Sequence, residues 1–383
     1  MNRGSESEIL IVGAGPTGLT AAVELARRGI IPRVIDKKDK ASTLSRAVGI
    51  NPKTLHLLAE SGVTEKLIEK GIKVRRGLFH AKDKFAFELD LALSPKPYDF
   101  LLALPQDQTE QILISRFGEL GGTVEYDSRL ESVSQTSESV SVSITSRGPT
   151  RDSQFQCVYG ADGIRSTVRD SVGIGYEGIE VEDKWSIVDF DSKTWPYRNE
   201  LSLFLYGGGR VCLIVPIADG RYRGVADRPN GIDHMPSGLK IDNVRRTGDF
   251  SIWIKKAATM SKGEVFLGGD AAHSHSPVGG RGMNLGIADA CEFAKRFAAD
   301  ELEGYANSRS DEVSATIRLT ERGRFMATRS IPGKFAIMKY VLPLFLGNKR
   351  LHQRIVRTAL DVSNPAKQSV SGQFASDSSS KSR

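Results

Sequence analysis

The stretch Glu8-Ile-Leu-Ile-Val-Gly-Ala-Gly-Pro-Thr-Gly18 decides the fold of this chain. An apolar run that suits a buried strand ends in glycines spaced as G-x-G-x-x-G, and an apolar-striped helix to about Arg28 follows them. A second apolar run at residues 31–35 completes a strand-helix-strand unit. This context, rather than the glycine spacing alone, predicts a dinucleotide site at the start of the helix.

Each glycine of the turn has a physical role in such a site. Gly13 permits the tight turn, Gly15 lets the backbone approach a pyrophosphate, and Gly18 lets the helix pack closely on the strand. The phosphates then lie against N–H groups at the positive end of the helix dipole. Asp36 follows Gly13 by 23 residues, at the end of the second strand, where it can accept hydrogen bonds from a ribose diol. Because a carboxylate repels a 2′-phosphate, we expect FAD or NAD rather than NADP. An ordinary glycine turn is the alternative.

The composition is that of a globular protein. The chain has 383 residues, 39% of them hydrophobic and 26% charged, which suits a large core in one or two domains and excludes a peptide, a fibrous repeat and a disordered protein. No stretch approaches the ~18–20 consecutive apolar residues of a membrane span, and the first residues have no signal-peptide pattern. We therefore expect a soluble, cytoplasmic protein. Three widely spaced cysteines predict buried thiols rather than zinc ligands or disulfides: Cys157, Cys212 and Cys291.

The positive charge is concentrated near the C-terminus. The formal net charge is +7, while residues 318–357 hold ten Lys or Arg and one acid, Glu321. The rest of the chain is therefore near neutral, which argues against a nucleic-acid partner. An apolar run at residues 340–346 lies inside this segment. We expect helices that pack on the nucleotide-binding domain with their charges in solvent, because Pro343 interrupts a continuous amphipathic helix. Contact with an anionic membrane, or gating of a lipophilic substrate, is the alternative.

A second motif, Ala161-Asp-Gly-Ile-Arg-Ser-Thr-Val-Arg169, follows another predicted strand. Asp162 and Gly163 suit a turn at a helix start. Arg165 and Arg169 can reach an anion or pair with Asp162. A surface turn with a helix cap explains the same residues equally well.

The third motif is Phe266-Leu-Gly-Gly-Asp-Ala-Ala-His-Ser-His-Ser-Pro-Val-Gly-Gly-Arg-Gly-Met-Asn284. It places an acid at a strand end, then a proline and three glycines before a helix expected from about Met283 to Ala299. His273 and His275 form an H-x-H pair, for which zinc must be considered. No Cys, Asp or Glu follows at the spacing of a zinc site, so no metal is predicted.

The three motifs, in this order and spacing, resemble those of the class A FAD-dependent aromatic monooxygenases, the para-hydroxybenzoate hydroxylase family. The resemblance covers roughly residues 8–300. It implies a tightly but non-covalently bound FAD, with NAD(P)H as co-substrate. The implied reaction hydroxylates a phenolic or polycyclic aromatic substrate: NAD(P)H reduces FAD, O2 adds at the flavin C4a carbon, and the resulting hydroperoxide transfers OH to the ring. The implied partners are thus an aromatic small molecule and O2.

The resemblance also implies which residues hold FAD. The first turn binds the pyrophosphate through Gly13, Gly15, Pro16, Thr17 and Gly18, and Asp36 binds the adenosine ribose. Three further places match family positions that contact the cofactor, the last of them also implicated in NAD(P)H binding: Arg46, Gln106, and Asp162 with Gly163.

The third motif completes this implied site. Asp270, after Gly269, matches the acid that binds the ribityl chain. The loop beside the isoalloxazine ring matches Pro277, Gly279, Gly280, Gly282, Met283 and Asn284. A helix that begins here would direct its first N–H groups at the flavin N1–C2=O edge and favour the anionic reduced cofactor.

The fold class that follows is α/β: a Rossmann-like FAD-binding domain interrupted by a β-sheet substrate layer, with C-terminal helices. Residues 123–159 alternate in short apolar segments and predict a small antiparallel ribbon within it. The predicted boundaries are FAD-binding segments at 1–75, 106–175 and 261–300, substrate-layer segments at 76–105 and 176–260, helices at 301–362, and a disordered tail at 363–383.

The sequence does not single out a catalytic base. A phenol has a pKa near ~10, so attack at neutral pH is helped by a group that withdraws its proton. The candidates also suit structural roles: Tyr206, Arg210, Tyr222 and His234 in the β-sheet layer, and His80 before it. Two alternatives to hydroxylation remain open, an FAD-dependent reductase or oxidase of the same fold, such as a prenyl reductase, and a flavin-binding protein without chemistry.

Overall fold

The structure is a computed structural model that describes residues 8–43, 47–136, 139–329 and 331–362. In chain order its strands are β1 (Ile9–Val12), β2 (Arg33–Ile35), β3 (Gly49–Ile50), β4 (Ile72–Val74), β5 (Arg76–Ala81), β6 (Lys84–Asp90), β7 (Leu101–Ala103), β8 (Val124–Glu125), β9 (Ser128–Gln135), β10 (Val140–Ser146), β11 (Thr150–Phe155), β12 (Cys157–Gly160), β13 (Tyr176–Asp191), β14 (Leu201–Leu205), β15 (Val211–Ala218), β16 (Arg221–Ala226), β17 (Asn243–Ala257), β18 (Ser261–Lys262), β19 (Val265–Leu267) and β20 (His273–Ser274).

The α-helices follow the same numbering scheme. They are α1 (Pro16–Ala26), α2 (Pro52–Leu57), α3 (Val63–Lys70), α4 (Gln106–Glu119), α5 (Thr167–Ser171), α6 (Gly282–Ala298), α7 (Tyr305–Thr328), α8 (Lys334–Ala336), α9 (Leu342–Leu346) and α10 (Lys349–Ala359). Strands and helices alternate in the first part of the chain and helices end it, so the predicted α/β class is confirmed.

A six-stranded sheet forms the nucleotide-binding part, in the order β18-β19-β12-β1-β2-β8. The neighbours β19, β12, β1 and β2 run parallel, and every residue of β1, β12 and β19 is buried. Continuous burial is expected of parallel strands that are covered on both faces. Because parallel strands end at the same edge of a sheet, the glycine turns after β1 and β19 lie at one edge, on either side of β12.

The predicted antiparallel ribbon at residues 123–159 is wrong at both ends. Strands β9, β10 and β11 do form an antiparallel sheet. Strands β8 and β12 instead pair in parallel with β2 and β1 in the six-stranded sheet. The physical reason is burial on both faces: Cys157, Val158 and Tyr159 are fully buried in succession, as in a central parallel strand. All three cysteines are buried and free, as predicted.

An eight-stranded sheet in the order β20-β17-β13-β16-β15-β14-β5-β6 lies next to this domain. Its two faces have different neighbours. The face that carries Leu205, Val211 and Val215 packs with Val48, Val74 and Ala103 from outside the sheet and with the C-terminal helices; we call it the inner face. The opposite, outer face is covered by loop residues and carries Val188, Phe190, Phe204, Cys212, Ile214 and Tyr222.

The C-terminal helices differ from the expectation at Pro343. Helix α8, a π-helical turn over Ile337–Val341 and α9 follow one another with right-handed helical backbone at each junction. Pro343 lies in the first turn of α9, where its missing N–H is tolerated, so it does not interrupt the helical path. Among the described residues, no helix combines the length and the apolar character that crossing a bilayer requires.

Candidate functional site

The turn after β1 has two glycines that the protein itself requires. Gly13 has φ +106°, and a Cβ on it would lie within 3.0 Å of the Ala161 carbonyl group. A Cβ on Gly18 would likewise lie within 3.0 Å of the carbonyl oxygen of Gly13. Gly15 is different, because its φ is −81° and no protein atom lies within 4 Å of a Cβ there. The protein leaves open space at Gly15, which is where a bound pyrophosphate needs it.

Two further features of this turn suit a dinucleotide, one its phosphates and the other a ribose. Gly15 precedes α1, and in the described part of the chain no side chain caps that helix, so its N-terminal amides face the open space. The carboxylate of Asp36 is held beside the turn by two backbone amides: Oδ2 accepts from Ala14 at 2.7 Å and Oδ1 accepts from Lys38 at 2.9 Å. A carboxylate has further lone pairs, so Asp36 can still accept from a ribose hydroxyl.

The loop after β19 meets this turn at Thr17. A Cβ built on Gly269, where φ is +59°, or on Gly286 in α6 would lie within 3.0 Å of the Thr17 hydroxyl oxygen. Asp270 is exposed beside this contact, and its carbonyl oxygen accepts a hydrogen bond of 3.0 Å from the Tyr176 hydroxyl. The two glycine-rich motifs, distant in sequence, therefore form one site.

A buried network of charged side chains contacts the loop after β19. The Asp289 carboxylate accepts from the Gly269 amide at 3.0 Å and from Arg309 Nε at 2.8 Å, and it lies 2.6 Å from His273 Nε2. Burial by itself would raise the pKa of Asp289, but the charges of His273 and Arg309 and the hydrogen bonds together lower it. His273 is thus a partner of Asp289. Among the described residues no cluster of His, Cys, Asp or Glu could hold a metal ion.

His275 has an unsatisfied nitrogen in the same loop. Its Nδ1 lies 2.8 Å from the carbonyl oxygen of Ser276, a contact that needs the proton on Nδ1. Burial lowers the pKa of His275 to about 4, so the ring is neutral at pH 7. Its Nε2 is then a buried acceptor without a partner in the described chain, and it lies 3.9 Å from a Cβ built on Gly282. Such an orphaned acceptor fits a ligand that carries a hydrogen-bond donor.

The N-terminus of α6 is held in place on both sides. Gly279 and Gly280 have φ of +84° and +60°, and Pro277 precedes them. Asn284 donates to the carbonyl oxygens of Gly280 and Gly49, both at 2.8 Å, and its Oδ1 accepts from the Asn51 amide at 2.9 Å. Helix α6 begins at Gly282, one residue before the prediction, with Met283 partly buried against the main core.

Arg281 links this loop to the C-terminal helices. Its guanidinium group forms an ion pair of 2.7 Å with Asp361 and donates to the carbonyl oxygen of Thr358 at the end of α10. Arg281 is buried. The last described helix is therefore fastened to the loop that precedes α6.

The motif at residues 161–169 contacts the second loop through Arg169. Its Nη1 donates to the carbonyl oxygens of Ile164 at 3.2 Å and Ala271 at 3.1 Å, and its guanidinium group lies 4.0 Å above the Tyr176 ring. Arg169 pairs with Asp170 at 2.9 Å rather than with Asp162. Asp162 accepts from the Val168 amide at 3.2 Å, and burial raises its pKa. Gly163, with φ +85°, has open space where a Cβ would be.

Gln106 begins α4 at the edge of the site. Its Oε1 accepts from the Ala47 amide at 3.4 Å, and its Nε2 donates to Glu110 at 2.9 Å. The Gln106 amide in turn donates to the Ala47 carbonyl oxygen at 3.0 Å. Arg46, the neighbour of Ala47, lies outside the described residues. Its predicted cofactor contact therefore stays a prediction.

Four of the five catalytic candidates lie on the outer face of the eight-stranded sheet. His80 stacks on Phe204 at 4.3 Å, and burial lowers its pKa. Tyr222 packs in the outer-face cluster. His234 ends a short turn that packs on that face at Gly231. The Tyr206 hydroxyl donates to Asp83 at 2.8 Å, and burial together with this bond raises its pKa. Arg210 is exposed, 5.4 Å from the Tyr206 ring.

The inner face carries a charged pair that the sequence did not reveal. Arg223 Nε and Nη2 donate to the two carboxylate oxygens of Asp189 at 2.6 and 2.7 Å, and both residues are buried. They are direct cross-strand partners of β16 and β13. The alternation Arg221-Tyr-Arg223 indicates that both arginines lie on one face of a strand. The partner of Arg223 could be identified only from the pairing register of β16 and β13.

Comparison with known proteins gives one family and several relatives. The FAD binding domain family matches residues 6–222 and 236–315. The chain is 31% identical to the 6-methylpretetramide 4-monooxygenase of Streptomyces rimosus over 88% of this chain and 64% of that protein. It is 29% identical to the pentachlorophenol 4-monooxygenase of Sphingobium chlorophenolicum over 78% of this chain and 59% of that protein. The chain thus spans about three fifths of the length of these relatives.

Solved structures share the fold. The p-nitrophenol 4-monooxygenase of Pseudomonas putida superposes with a TM-score of 0.84 at 19% identity, over 93% of this chain and 98% of that one. An aklavinone-11 hydroxylase in complex with FAD and aklavinone gives 0.73 at 22% identity, over 88% and 73%. At these identities the likeness concerns the fold alone.

Proposed function

We propose that this chain, which belongs to the class A FAD-dependent aromatic monooxygenases, hydroxylates a phenolic or polycyclic aromatic compound with NAD(P)H and O2. The observation that carries the proposal is the contact of Thr17 with Gly269 and Gly286, which makes the two glycine-rich motifs one site. The names of the relatives support the substrate class, since they include pentachlorophenol and 6-methylpretetramide.

The residues around this site fit FAD. The open space at Gly15 and the uncapped start of α1 would hold the pyrophosphate, and Asp36 would accept from the adenosine ribose. His275 would offer a buried acceptor in the second loop to a ribityl hydroxyl or ring N–H group of FAD. When bound, FAD supplies the electron transfer and oxygen activation that side chains lack.

Helix α6 would contribute electrostatically. Its 17 residues begin at Gly282, and in the described chain no side chain caps its N-terminus. A helix N-terminus stabilises negative charge by ~0.3–1 kcal/mol when exposed and up to ~2 kcal/mol when partly buried. The loop held by Asn284 and Arg281 fixes where those amides point. These contacts support a role in stabilising anionic reduced flavin.

We place the aromatic substrate between the inner face of the eight-stranded sheet and residues 275–282. Strand β20 pairs with β17 at the edge of that sheet and leads directly into this loop. The Arg281–Asp361 pair fastens the C-terminal helices to the loop and would limit the entry of water. Arg223 and Asp189 lie on the same inner face, so they are better placed than Tyr222 or His80 to orient a substrate.

Turnover with labelled oxygen tests the proposal. Purified protein loaded with FAD is mixed with NADH or NADPH and a panel of phenols and polycyclic phenols under isotopically labelled O2. We expect at least one compound to accelerate NAD(P)H oxidation and to gain one labelled oxygen atom. Hydrogen peroxide is measured in parallel, because peroxide without labelled product indicates oxidase activity.

Two results would contradict hydroxylation. Substrate reduction or oxidation without label would favour a reductase or oxidase of the same fold. Bound FAD that NAD(P)H does not reduce with any compound of the panel would favour a flavin-binding protein without chemistry.

A further inference from the structure

The helical path through α8, the π-helical turn and α9 carries an exposed apolar stripe. Its members are spaced as i, i+3, i+4, i+7 and i+8, which is one face of a helix: Ile337, Tyr340, Val341, Leu344 and Phe345. Leu344 is 78% exposed and Tyr340 is 63% exposed. The other side of the same path, with Met338 and Leu346, is buried against the inner-face cluster. Both sides of this helical path are therefore apolar: one packs on the inner-face cluster, and the other is exposed among the described residues.

Basic side chains lie beside the apolar stripe and at the end of the helix that precedes it. Lys339 Nζ lies 5.2 Å from the Tyr340 ring, and the Arg329 guanidinium group lies 5.2 Å from the ring of Phe325, which is itself exposed with Met326 at the end of α7. The only acid in residues 318–357 is Glu321, which is paired with Arg324 at 2.7 Å. The segment that carries the stripe therefore has a formal charge of +9 of its own.

Helix α10 adds a shallow groove of arginines. Arg350, Arg354 and Arg357 are spaced as i, i+4 and i+7 and line it together with Gln353, Thr358 and Val362. Guanidinium groups in such a row suit phosphate oxygens, which they bind by paired hydrogen bonds. The groove lies one short turn beyond the apolar stripe in the chain.

We propose that the apolar stripe and the basic residues around it dock this protein on the surface of an anionic lipid bilayer. An apolar face flanked by Lys and Arg is the arrangement that inserts into the headgroup region while its charges attract anionic lipids. A second copy of the chain fits less well, because its equivalent segment would bring ten basic residues and one acid against the same charge. The proposal rests on no part of the flavin site.

Vesicle flotation of the full chain tests this docking. Vesicles of phosphatidylcholine alone are compared with vesicles that contain phosphatidylglycerol, at low and high salt. We expect the protein to float with the anionic vesicles only and to be released by high salt. Leu344→Asp and Lys339→Glu should each reduce the bound fraction roughly tenfold, since one removes insertion and the other reverses a charge.

Ile179→Asp is the matched control. Ile179 is 60% exposed on β13, outside the apolar stripe, so this variant adds the same acid to an exposed apolar position. It should bind anionic vesicles as the unaltered chain does. The proposal is overturned if the unaltered chain does not float with anionic vesicles, or if Ile179→Asp lowers binding as much as Leu344→Asp. It is also overturned if light scattering shows an oligomer that Leu344→Asp dissociates, because the stripe is then an interface between copies.

Discussion

Thr17 and Gly269, from the first and last glycine-rich motifs, touch so closely that a Cβ on Gly269 would lie within 3.0 Å of the Thr17 hydroxyl oxygen. The same oxygen approaches Gly286, about one turn into α6. The contact is made by a side chain of the first motif and by backbone without a Cβ in the last motif and in α6. Glycine at these positions therefore lets the turn after β1 lie against the start of α6.

Gly286→Ala should separate the two loops. Gly286 lies inside α6, so alanine suits its backbone, but the new methyl group would clash with the Thr17 hydroxyl oxygen and lie only 3.1 Å from the Cα of Gly269. Overpacking of this kind costs about 1–3 kcal/mol, and we expect FAD affinity to fall roughly tenfold. Removing the hydroxyl in Thr17→Ala/Gly286→Ala should restore part of it, because the contact with the Gly269 backbone remains. FAD titration followed by flavin fluorescence measures both.

Gly118→Ala is the control for that substitution. Gly118 lies inside α4 with no atom within 4 Å of a Cβ. Alanine there should leave FAD affinity unchanged and raise thermal stability slightly. Equal FAD affinity in Gly286→Ala and Gly118→Ala would show that the Thr17 contact does not hold the site.

Asp289→Asn should destabilise the second loop and the fold. The substitution removes the carboxylate that lies 2.8 Å from Arg309 Nε, while the Glu312 carboxylate stays 2.7 Å from Nη1, so we expect a loss of about 1–3 kcal/mol. Because the folded pKa of Asp289 is lowered, its contribution is complete above the unfolded pKa of ~3.9 and is lost as pH falls through the folded value. The difference in unfolding free energy between the two proteins should therefore be constant near pH 7 and shrink below about pH 4.

Asp170→Asn is the control, because it removes an exposed carboxylate that also pairs with a buried arginine. Asp170 also pairs with a buried arginine, Arg169, but its side chain is 66% exposed. Denaturant titration should show almost no change in stability for this variant. A similar loss in both variants would mean that burial of Asp289 is not what matters.

His275 should make stability fall between about pH 6.5 and pH 4. Its folded pKa is about 4, so the unfolded chain takes up a proton in this range that the folded chain does not, at about 1.4 kcal/mol per pH unit. His275→Gln keeps an acceptor but cannot titrate, and it should remove that slope while retaining FAD. His275→Leu should lose FAD affinity as well. His80, whose pKa is also lowered, adds the same pH dependence to the stability of all three proteins, so it does not affect the comparison. Identical pH profiles of the parent and His275→Gln would contradict this account.

Arg223→Met should lower the stability of the fold more than removal of the whole charged pair does. The single change leaves the Asp189 carboxylate buried without its bidentate partner, at a cost of about 3–5 kcal/mol. Arg223→Met/Asp189→Leu removes both charges and should recover much of that loss. Urea unfolding of the two variants measures their stabilities. A double variant less stable than the single one would refute the view that the unpaired Asp189 carboxylate causes the loss.

The glycine motifs were readable from sequence because they are local. The strand before Gly13, the helix after it and Asp36 at the next strand end all lie within one strand-helix-strand unit. The start of α6 was equally predictable, since three glycines and a proline precede it. The contact of Thr17 with Gly286 joins the motifs. It depends on the order of strands in the sheet, and only the resemblance led us to expect that the motifs meet.

Other features depended on contacts that a sequence does not contain. Period-two alternation shows that Tyr222 and Arg223 point to opposite faces, but not which face packs on the nucleotide-binding domain. The parallel pairing of β12 was hidden because a short apolar run suits either kind of sheet. The prediction that Pro343 interrupts the helical path is wrong because a π-helical turn precedes it, so the proline lies in the first turn of a new helix.

Titration of Gly15→Ala with FAD tests the central claim most directly. Alanine suits the backbone at Gly15 and meets no protein atom within 4 Å, so the thermal stability of the ligand-free chain should be unchanged. The parent should bind one FAD per chain, and Gly15→Ala should bind it at least ~tenfold more weakly because the methyl group occupies the place of the pyrophosphate. A parent that takes up no FAD, or a variant that binds it equally well, would contradict the assignment of this site.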